Sequence, residues 1–116
     1  MIKLYTYKNC GSCKKALKWL QQEGIEYQEL PIRETPPSRD ELQQMLKSKG
    51  AIKLLFNTSG MDYRQLGMKD KLPTMTDAEA IALLASNGNL IKRPFVLSDK
   101  GNTVGFKEPD WQDLFV

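Results

Sequence analysis

The chain contains no histidine among its 116 residues and only two cysteines. Without histidine, the sequence lacks the Ser-His and Cys-His pairs of common hydrolases and the most frequent general base. Two cysteines alone cannot supply the four ligands of a tetrahedral zinc site. We therefore predict no metal ion and no bound cofactor, and we expect the chemistry to depend on thiols, carboxylates and cationic side chains.

Long apolar runs and a strong excess of one charge are also missing. No apolar run approaches the roughly 20 residues of a membrane span, and the N-terminus enters a predicted strand without a signal-peptide pattern. We therefore expect a cytoplasmic protein that does not act at a membrane. The net charge of +3 is spread along the chain, which does not predict direct binding to nucleic acid.

Both cysteines lie in residues 8–15, between a predicted strand and a predicted helix. Residues 2–7 alternate as a strand does, and Gly24 is placed to end the helix that follows. One face of that helix carries Cys13, Ala16, Leu17 and Leu20. The helix begins at about Cys10, and a helix N-terminus favours an anion such as a thiolate. We therefore expect Cys10 to attack and Cys13, one turn further in, to be the less accessible resolving thiol.

Other interpretations of the two cysteines are less favoured by their spacing. A purely structural disulfide would close so short a loop that it would stabilise the fold little. Two inert buried thiols are a further alternative. A C-x-x-C after an N-terminal strand is typical of a thioredoxin-like redox motif, which makes redox chemistry the preferred interpretation.

The remainder of the chain predicts one strand, several helices and then a hairpin. Residues 25–32 form a second strand, which makes a right-handed β-α-β unit with parallel strands. Capping boxes at Ser38 and Thr76 predict helices that end near Gly50 and Gly88. A short helix is predicted around residues 52–56, turns or a short helix over 61–73, strands over 90–97 and 103–106, and a last helix from Glu108.

The predicted fold class is therefore α/β, with a thioredoxin-like mixed sheet. The order is β-α-β followed by β-β-α, and a helical insertion occupies approximately residues 37–88. No linker, repeat or low-complexity tract divides the chain. We expect one domain over residues 1–116.

Three blocks of the sequence resemble the ArsC/Spx group of thioredoxin-fold proteins. They are the strand with residues 9–13, the pair Tyr63-Arg64, and residues 90–94, and they match in order and spacing from about Met1 to Glu108. The group includes glutaredoxin-coupled arsenate reductases and Spx-type transcription regulators that bind RNA polymerase. The resemblance implies a role for each matching residue.

Cys10 then occupies the position of the catalytic nucleophile, with Gly11 and Ser12 supporting it. Arg64 and Arg93 match two arginines that hold the arsenate oxyanion, and Lys107 stands where the reductases carry a third arginine. Pro94 matches the cis-proline that faces the active-site cysteine in thioredoxin folds. Lysine keeps the charge at position 107 but loses the bidentate geometry of arginine. Arg33 and Arg39 are assigned no role.

The resemblance supports an arsenate reductase-like thiol–disulfide oxidoreductase with an oxyanion or disulfide substrate. Cys10 would attack, a Cys10–Cys13 disulfide would form, and glutathione, glutaredoxin or thioredoxin would restore the dithiol. The alternative is an Spx-like redox-sensing regulator that binds RNA polymerase without turnover. The chain stops at Val116 without the basic C-terminal extension of such regulators, which favours the enzyme. A third, weaker alternative is an interaction module that has lost its activity.

Overall fold

Four strands form one mixed sheet in the computed structural model, which describes residues 1–116. Strand β1 (Ile2–Thr6) is parallel to β2 (Tyr27–Pro31) and antiparallel to β3 (Phe95–Leu97). Strand β4 (Thr103–Val104) pairs antiparallel with β3, so the order is β2-β1-β3-β4. The predicted α/β class and the parallel β-α-β unit are confirmed, and β2 lies at an edge as its proline indicates.

Alternating side chains give the sheet two apolar faces, because successive residues of a strand point to opposite sides. Leu4 and Val96 lie on the face covered by helices α1 (Gly11–Gln22) and α6 (Glu108–Phe115). Tyr5 and Phe95 lie on the other face, which the segment between β2 and β3 covers. The first core consists of Ile2, Leu4, Ala16, Trp19, Leu20, Val96, Trp111 and Phe115.

Helix α1 begins and ends where the sequence predicts. Cys10 is its N-cap, and Gly24 follows its end with φ of +68°, a backbone conformation that glycine adopts without the steric penalty of a Cβ. Its buried residues include Cys13, Ala16 and Leu20, which are three of the four apolar positions predicted for the inner face.

The segment between β2 and β3 is mostly helical. Its α-helices are α2 (Arg39–Lys49), α3 (Met61–Gln65), α4 (Met68–Lys71) and α5 (Asp77–Ser86), and its 3₁₀ turns are Ile52–Leu55, Leu72–Thr74 and Gly88–Leu90. Ser38 and Thr76 both form the predicted capping boxes. No helix of the chain combines the length and the hydropathy needed to span a membrane.

Glu41, inside the first capping box, also ties α2 to the sheet. Its carboxylate accepts a hydrogen bond from the Lys3 ammonium at 2.7 Å and from the Tyr5 hydroxyl at 2.7 Å, besides the one from the Ser38 N–H at 3.0 Å. Lys3–Glu41 is the only ion pair in the protein. The Glu41 side chain therefore connects the N-terminus of α2 to strand β1.

The strand predicted over residues 90–97 is wrong in its first half, because β3 starts only at Phe95. Pro94 has no N–H to donate to a ladder. The preceding residues pair instead with the helical segment. The Lys92 N–H donates to the Leu55 carbonyl at 2.8 Å, and the Asn57 N–H donates to the Leu90 carbonyl at 2.7 Å. This short ladder surrounds a bridge between Phe56 and Ile91.

Gly88 has a different role from the helix stop that its position suggests. Helix α5 already ends at Ser86, and Gly88 opens the following 3₁₀ turn. A Cβ at position 88 would overlap the carbonyl oxygen of Ile32, so the two backbones approach too closely for a side chain. Glycine is therefore required at position 88 by a tertiary contact with Ile32, and local sequence patterns do not predict such a contact.

Candidate active site

Cys10 lies in the tight turn between β1 and α1, as the N-cap of the helix. Its backbone is extended (φ −94°, ψ 118°), and its N–H donates to the Tyr7 carbonyl at 3.0 Å. The Cys10 sulfur accepts a hydrogen bond from the Cys13 N–H at 3.4 Å. The sulfur therefore caps one of the free N–H groups of the helix, at the end of the dipole that favours negative charge. The residue is half-buried, so reagents can reach it.

Cys13 lies one turn into α1 and is only 1% exposed. Burial raises the pKa of the Cys13 thiol to about 12, and a hydrogen bond to Cys10 acts in the same direction. A hydrogen bond from the Tyr7 backbone and the charge of Arg93 act against this rise. At neutral pH Cys13 is therefore a protonated thiol. The two sulfurs, both free, have different accessibility.

Arg93 and Pro94 reach the site because β3 runs antiparallel to β1. The peptide bond between them is cis, as expected from the resemblance, and Pro94 is buried. The Arg93 guanidinium carbon lies 4.9 Å from the centroid of the Tyr7 ring. Its Nη1 is buried and has no hydrogen-bond partner. A buried donor without a partner is costly, and an anion bound beside Arg93 would satisfy it.

Lys107 and Ser12 lie on a neighbouring cleft of about 370 Å³. Lys107 is exposed at the N-cap of α6, and Ser12 is exposed in the first turn of α1, next to the exposed Gly11. Lys49 and Lys92 line the same cleft. None of these three lysines has an ion-pair partner, and Asp110 is the one carboxylate that lines the same cleft, so the cleft beside the cysteine turn carries net positive charge.

Arg64 lies on α3 and is exposed. Its Nη2 donates to the Ser59 carbonyl at 3.3 Å, and it makes no hydrogen bond to the cysteine turn. The structure thus brings together Cys10, Cys13 and Arg93, with Ser12 and Lys107 on the adjoining cleft, and shows no such contact for Arg64. Its role in oxyanion binding stays a prediction.

Two residues that the sequence analysis passed over lie in this site. The Tyr7 hydroxyl accepts hydrogen bonds from Arg33 Nη1 at 3.0 Å and from Asn9 Nδ2 at 3.3 Å. The Arg33 guanidinium carbon lies 5.0 Å from the centroid of the same ring. The sequence could have predicted that Tyr7 and Arg33 lie close together, since Tyr7 directly follows β1 and Arg33 follows β2. Parallel neighbouring strands end at the same edge of a sheet, so residues that follow them are brought together.

Comparison with known proteins identifies the family of this chain. Residues 5–114 match the profile of the ArsC family. The chain belongs to the ArsC family. It is 46% identical over 113 residues to the uncharacterized protein YusI of Bacillus subtilis, covering 97% of this chain and 96% of that protein.

Relatives of the ArsC family with two different descriptions are also similar to this chain. The global transcriptional regulator Spx of Listeria innocua is 30% identical over 112 residues, covering 95% of this chain and 83% of the regulator. The crystal structure of a possible arsenate reductase from Streptococcus mutans superposes with a TM-score of 0.88 at 35% identity, covering 97% of this chain and 98% of that one. The family and the thioredoxin-like fold are therefore shown, and similarity alone does not separate the two functions.

The geometry defines what this ArsC-family site can do chemically. An accessible sulfur caps a helix, a protonated thiol lies behind it, and the Arg93 guanidinium offers a donor with no partner. Such a set can attack an electrophile, hold an anion, and resolve the adduct with the second sulfur. None of these steps requires a histidine, a metal or a bound cofactor.

Proposed function

We propose that this ArsC-family protein is an arsenate reductase-like thiol–disulfide oxidoreductase of the cytoplasm, with Cys10 as nucleophile and Cys13 as resolving thiol. The observation that carries the proposal is the asymmetry of the two sulfurs. Cys10 caps the helix and is half-buried, whereas Cys13 is 1% exposed with a thiol pKa of about 12. Thiolates rather than thiols attack, so attack begins at Cys10.

The first step is attack by the Cys10 thiolate on the central atom of an oxyanion such as arsenate. A sulfur–arsenic bond forms, and one oxygen leaves as water after protonation. Arg93 holds the remaining oxygens, because its buried Nη1 has no partner within the protein. Lys107 adds positive charge from the adjoining cleft, and Arg64 is the further predicted contact.

The second step is attack by Cys13 on the Cys10 sulfur. A Cys10–Cys13 disulfide forms, the sulfur–arsenic bond breaks, and its electron pair remains on arsenic, which is thereby reduced by two electrons. Cys13 loses its proton in this step. With a disulfide substrate, the Cys10 thiolate attacks one sulfur, which forms a mixed disulfide and releases the first thiol. Cys13 then attacks the Cys10 sulfur and releases the second thiol. Glutathione, glutaredoxin or thioredoxin supplies two electrons to restore the dithiol.

The test is arsenate turnover with glutathione and glutaredoxin, and separately with thioredoxin. Wild type, Cys10→Ser and Cys13→Ser are compared, and intact-mass measurement reports the thiol state of each. We expect turnover to vanish in Cys10→Ser. Survival in Cys13→Ser would show that external glutathione resolves the adduct. Full activity in Cys10→Ser would contradict the proposal.

The second candidate function is a redox switch that regulates transcription. It is favoured by the 30% identity to the Listeria innocua Spx regulator over 95% of the chain. In this case the Cys10–Cys13 disulfide would change the affinity for RNA polymerase, and no substrate would be turned over. Co-purification of RNA polymerase with the oxidised or the reduced protein, together with absent turnover, would select this function. Turnover without polymerase binding would exclude it.

A further inference from the structure

The Tyr7 hydroxyl has an unused hydrogen-bond donor at the edge of the active site. Its oxygen accepts from Arg33 and Asn9, which occupies both lone pairs, and no group of the protein accepts from its O–H. Asn9 directly precedes Cys10, and the Tyr7 carbonyl accepts the Cys10 N–H. The free O–H therefore lies within the turn that positions the nucleophile.

Two guanidinium groups share the Tyr7 ring. The guanidinium carbons of Arg33 and Arg93 lie 5.0 Å and 4.9 Å from its centroid, within the range of a cation–π interaction. Neither arginine has a carboxylate partner, since the only ion pair of the protein is elsewhere. Two like charges lie against one ring, and one of them also donates to the hydroxyl of that ring. A multivalent anion would stabilise such an arrangement.

We propose that Tyr7 and Arg33, which line a different cleft from Lys107, complete the anion site of the enzyme proposed above. The Tyr7 hydroxyl donates to one oxygen of a tetrahedral oxyanion held at Arg93, and Arg33 supplies the second guanidinium. The Tyr7 ring also positions Arg93. This inference rests on the proposed function and extends it to two residues that the family resemblance did not indicate.

The surrounding charges limit where the anion can lie. Tyr7 and Arg33 line a cleft of about 490 Å³, whose walls also carry Lys8, Glu29 and Glu34. Glu29 accepts a hydrogen bond from the Thr6 hydroxyl, a neutral donor that leaves the carboxylate charge in place, so both Glu29 and Glu34 would repel an anion. The oxyanion is therefore expected at the end of the cleft towards Arg93. The hydrogen bond from Asn9, with the charges of Arg33 and Lys8, lowers the pKa of Tyr7, which strengthens its O–H as a donor.

The test measures protection of Cys10 from iodoacetamide by inorganic phosphate, a tetrahedral oxyanion that the thiol does not reduce. Ionic strength is held constant with sodium chloride, because salt screens charge interactions. The variants are Tyr7→Phe, which keeps the ring and removes the hydroxyl, and Arg33→Gln with its conservative counterpart Arg33→Lys. Arg93→Gln is included because it removes the guanidinium at the centre of the proposed anion site. Arg39→Gln is the matched control, since Arg39 is exposed at the start of α2. Melting temperature is recorded for each variant.

We expect the phosphate concentration for half-protection to rise about tenfold in Tyr7→Phe and in Arg33→Gln, since a hydrogen bond to a charged group is lost. Partial recovery is expected in Arg33→Lys, and no change in Arg39→Gln or in the melting temperatures. Half-protection within twofold of wild type in both variants, with strong weakening in Arg93→Gln, would overturn the inference alone. If phosphate does not protect the wild type, the inference and the oxyanion step of the proposed function both fail. Thiol–disulfide exchange would then be tested separately with a small uncharged disulfide.

Discussion

Replacing Cys10 with serine leaves Cys13 as the only thiol of the protein, so that this variant isolates the buried sulfur. At pH 7.5 a pKa of about 12 leaves roughly one thiol in 30,000 ionised, against roughly one in ten for a cysteine of ordinary pKa. The serine removes the contribution of Cys10 to that pKa but keeps burial, which is its main cause. We therefore expect iodoacetamide to alkylate Cys13 at least about 10²-fold more slowly than a free cysteine.

The assay follows the intact mass during alkylation, in buffer and in guanidinium chloride. The matched control is Cys13→Ser, whose remaining Cys10 sulfur is half-buried and is expected to react readily in the native state. Both variants should react at similar rates when unfolded. Because the pKa of Cys13 is raised, its native-state rate should rise about tenfold for each pH unit between 7 and 10. Alkylation of Cys13 in folded Cys10→Ser within tenfold of the unfolded rate would refute the assignment of the two roles.

Three further predictions concern the fold that holds the site. Gly88→Ala is expected to destabilise the protein by about 3 kcal/mol or more in urea unfolding, because the new methyl group would overlap the Ile32 carbonyl; a loss below 1 kcal/mol would contradict this packing. Burial opposes ionisation of Glu41, but hydrogen bonds from Lys3 and two other donors outweigh it and lower the pKa of that carboxyl. The ionised Glu41 carboxylate therefore stabilises the fold at neutral pH, and this contribution is lost as the pH falls through the lowered pKa. Glu41→Gln should lower the free energy of unfolding by about 1–2 kcal/mol at pH 7 and by less at pH 3, as measured by thermal unfolding. Trp111→Phe should cost about 1–3 kcal/mol in urea, since it removes buried area and an indole hydrogen bond to a backbone carbonyl, and an unchanged midpoint would argue against that contact.

The parts of the fold that the sequence predicts correctly depend on short-range chemistry. The capping boxes at Ser38 and Thr76 each need only two side chains three residues apart, and both form as expected. The start of α1 at Cys10 likewise follows from apolar spacing within a single helix. The false strand over residues 90–94 and the misread Gly88 have the opposite origin. In both cases a contact with a distant part of the chain decides the local structure.

The candidate site divides in the same way. Cys10 and Cys13 can be read from a four-residue motif, and the family resemblance supplies Arg93, which the structure brings beside the cysteine turn. Arg33 and Arg93 both lie against the Tyr7 ring, although the three residues come from separate parts of the chain. No local sequence pattern predicts this contact. Only the parallel register of β1 and β2 indicates that Tyr7 and Arg33 meet, and using it requires a sheet topology first.

The short ladder around Phe56 and Ile91 connects the helical segment to the residues that lead into the site. The N–H groups of Asn57 and Lys92 are each held by a carbonyl across this ladder, and the residue after Lys92 is Arg93. Hydrogen exchange of these two amides therefore measures how often the backbone before Arg93 separates from the helical segment. Slower exchange on adding an oxyanion would reveal binding at Arg93 without any reaction at sulfur. The exchange rates of the Asn57 and Lys92 amides can therefore be used to measure oxyanion binding, even in a variant in which both cysteines have been replaced.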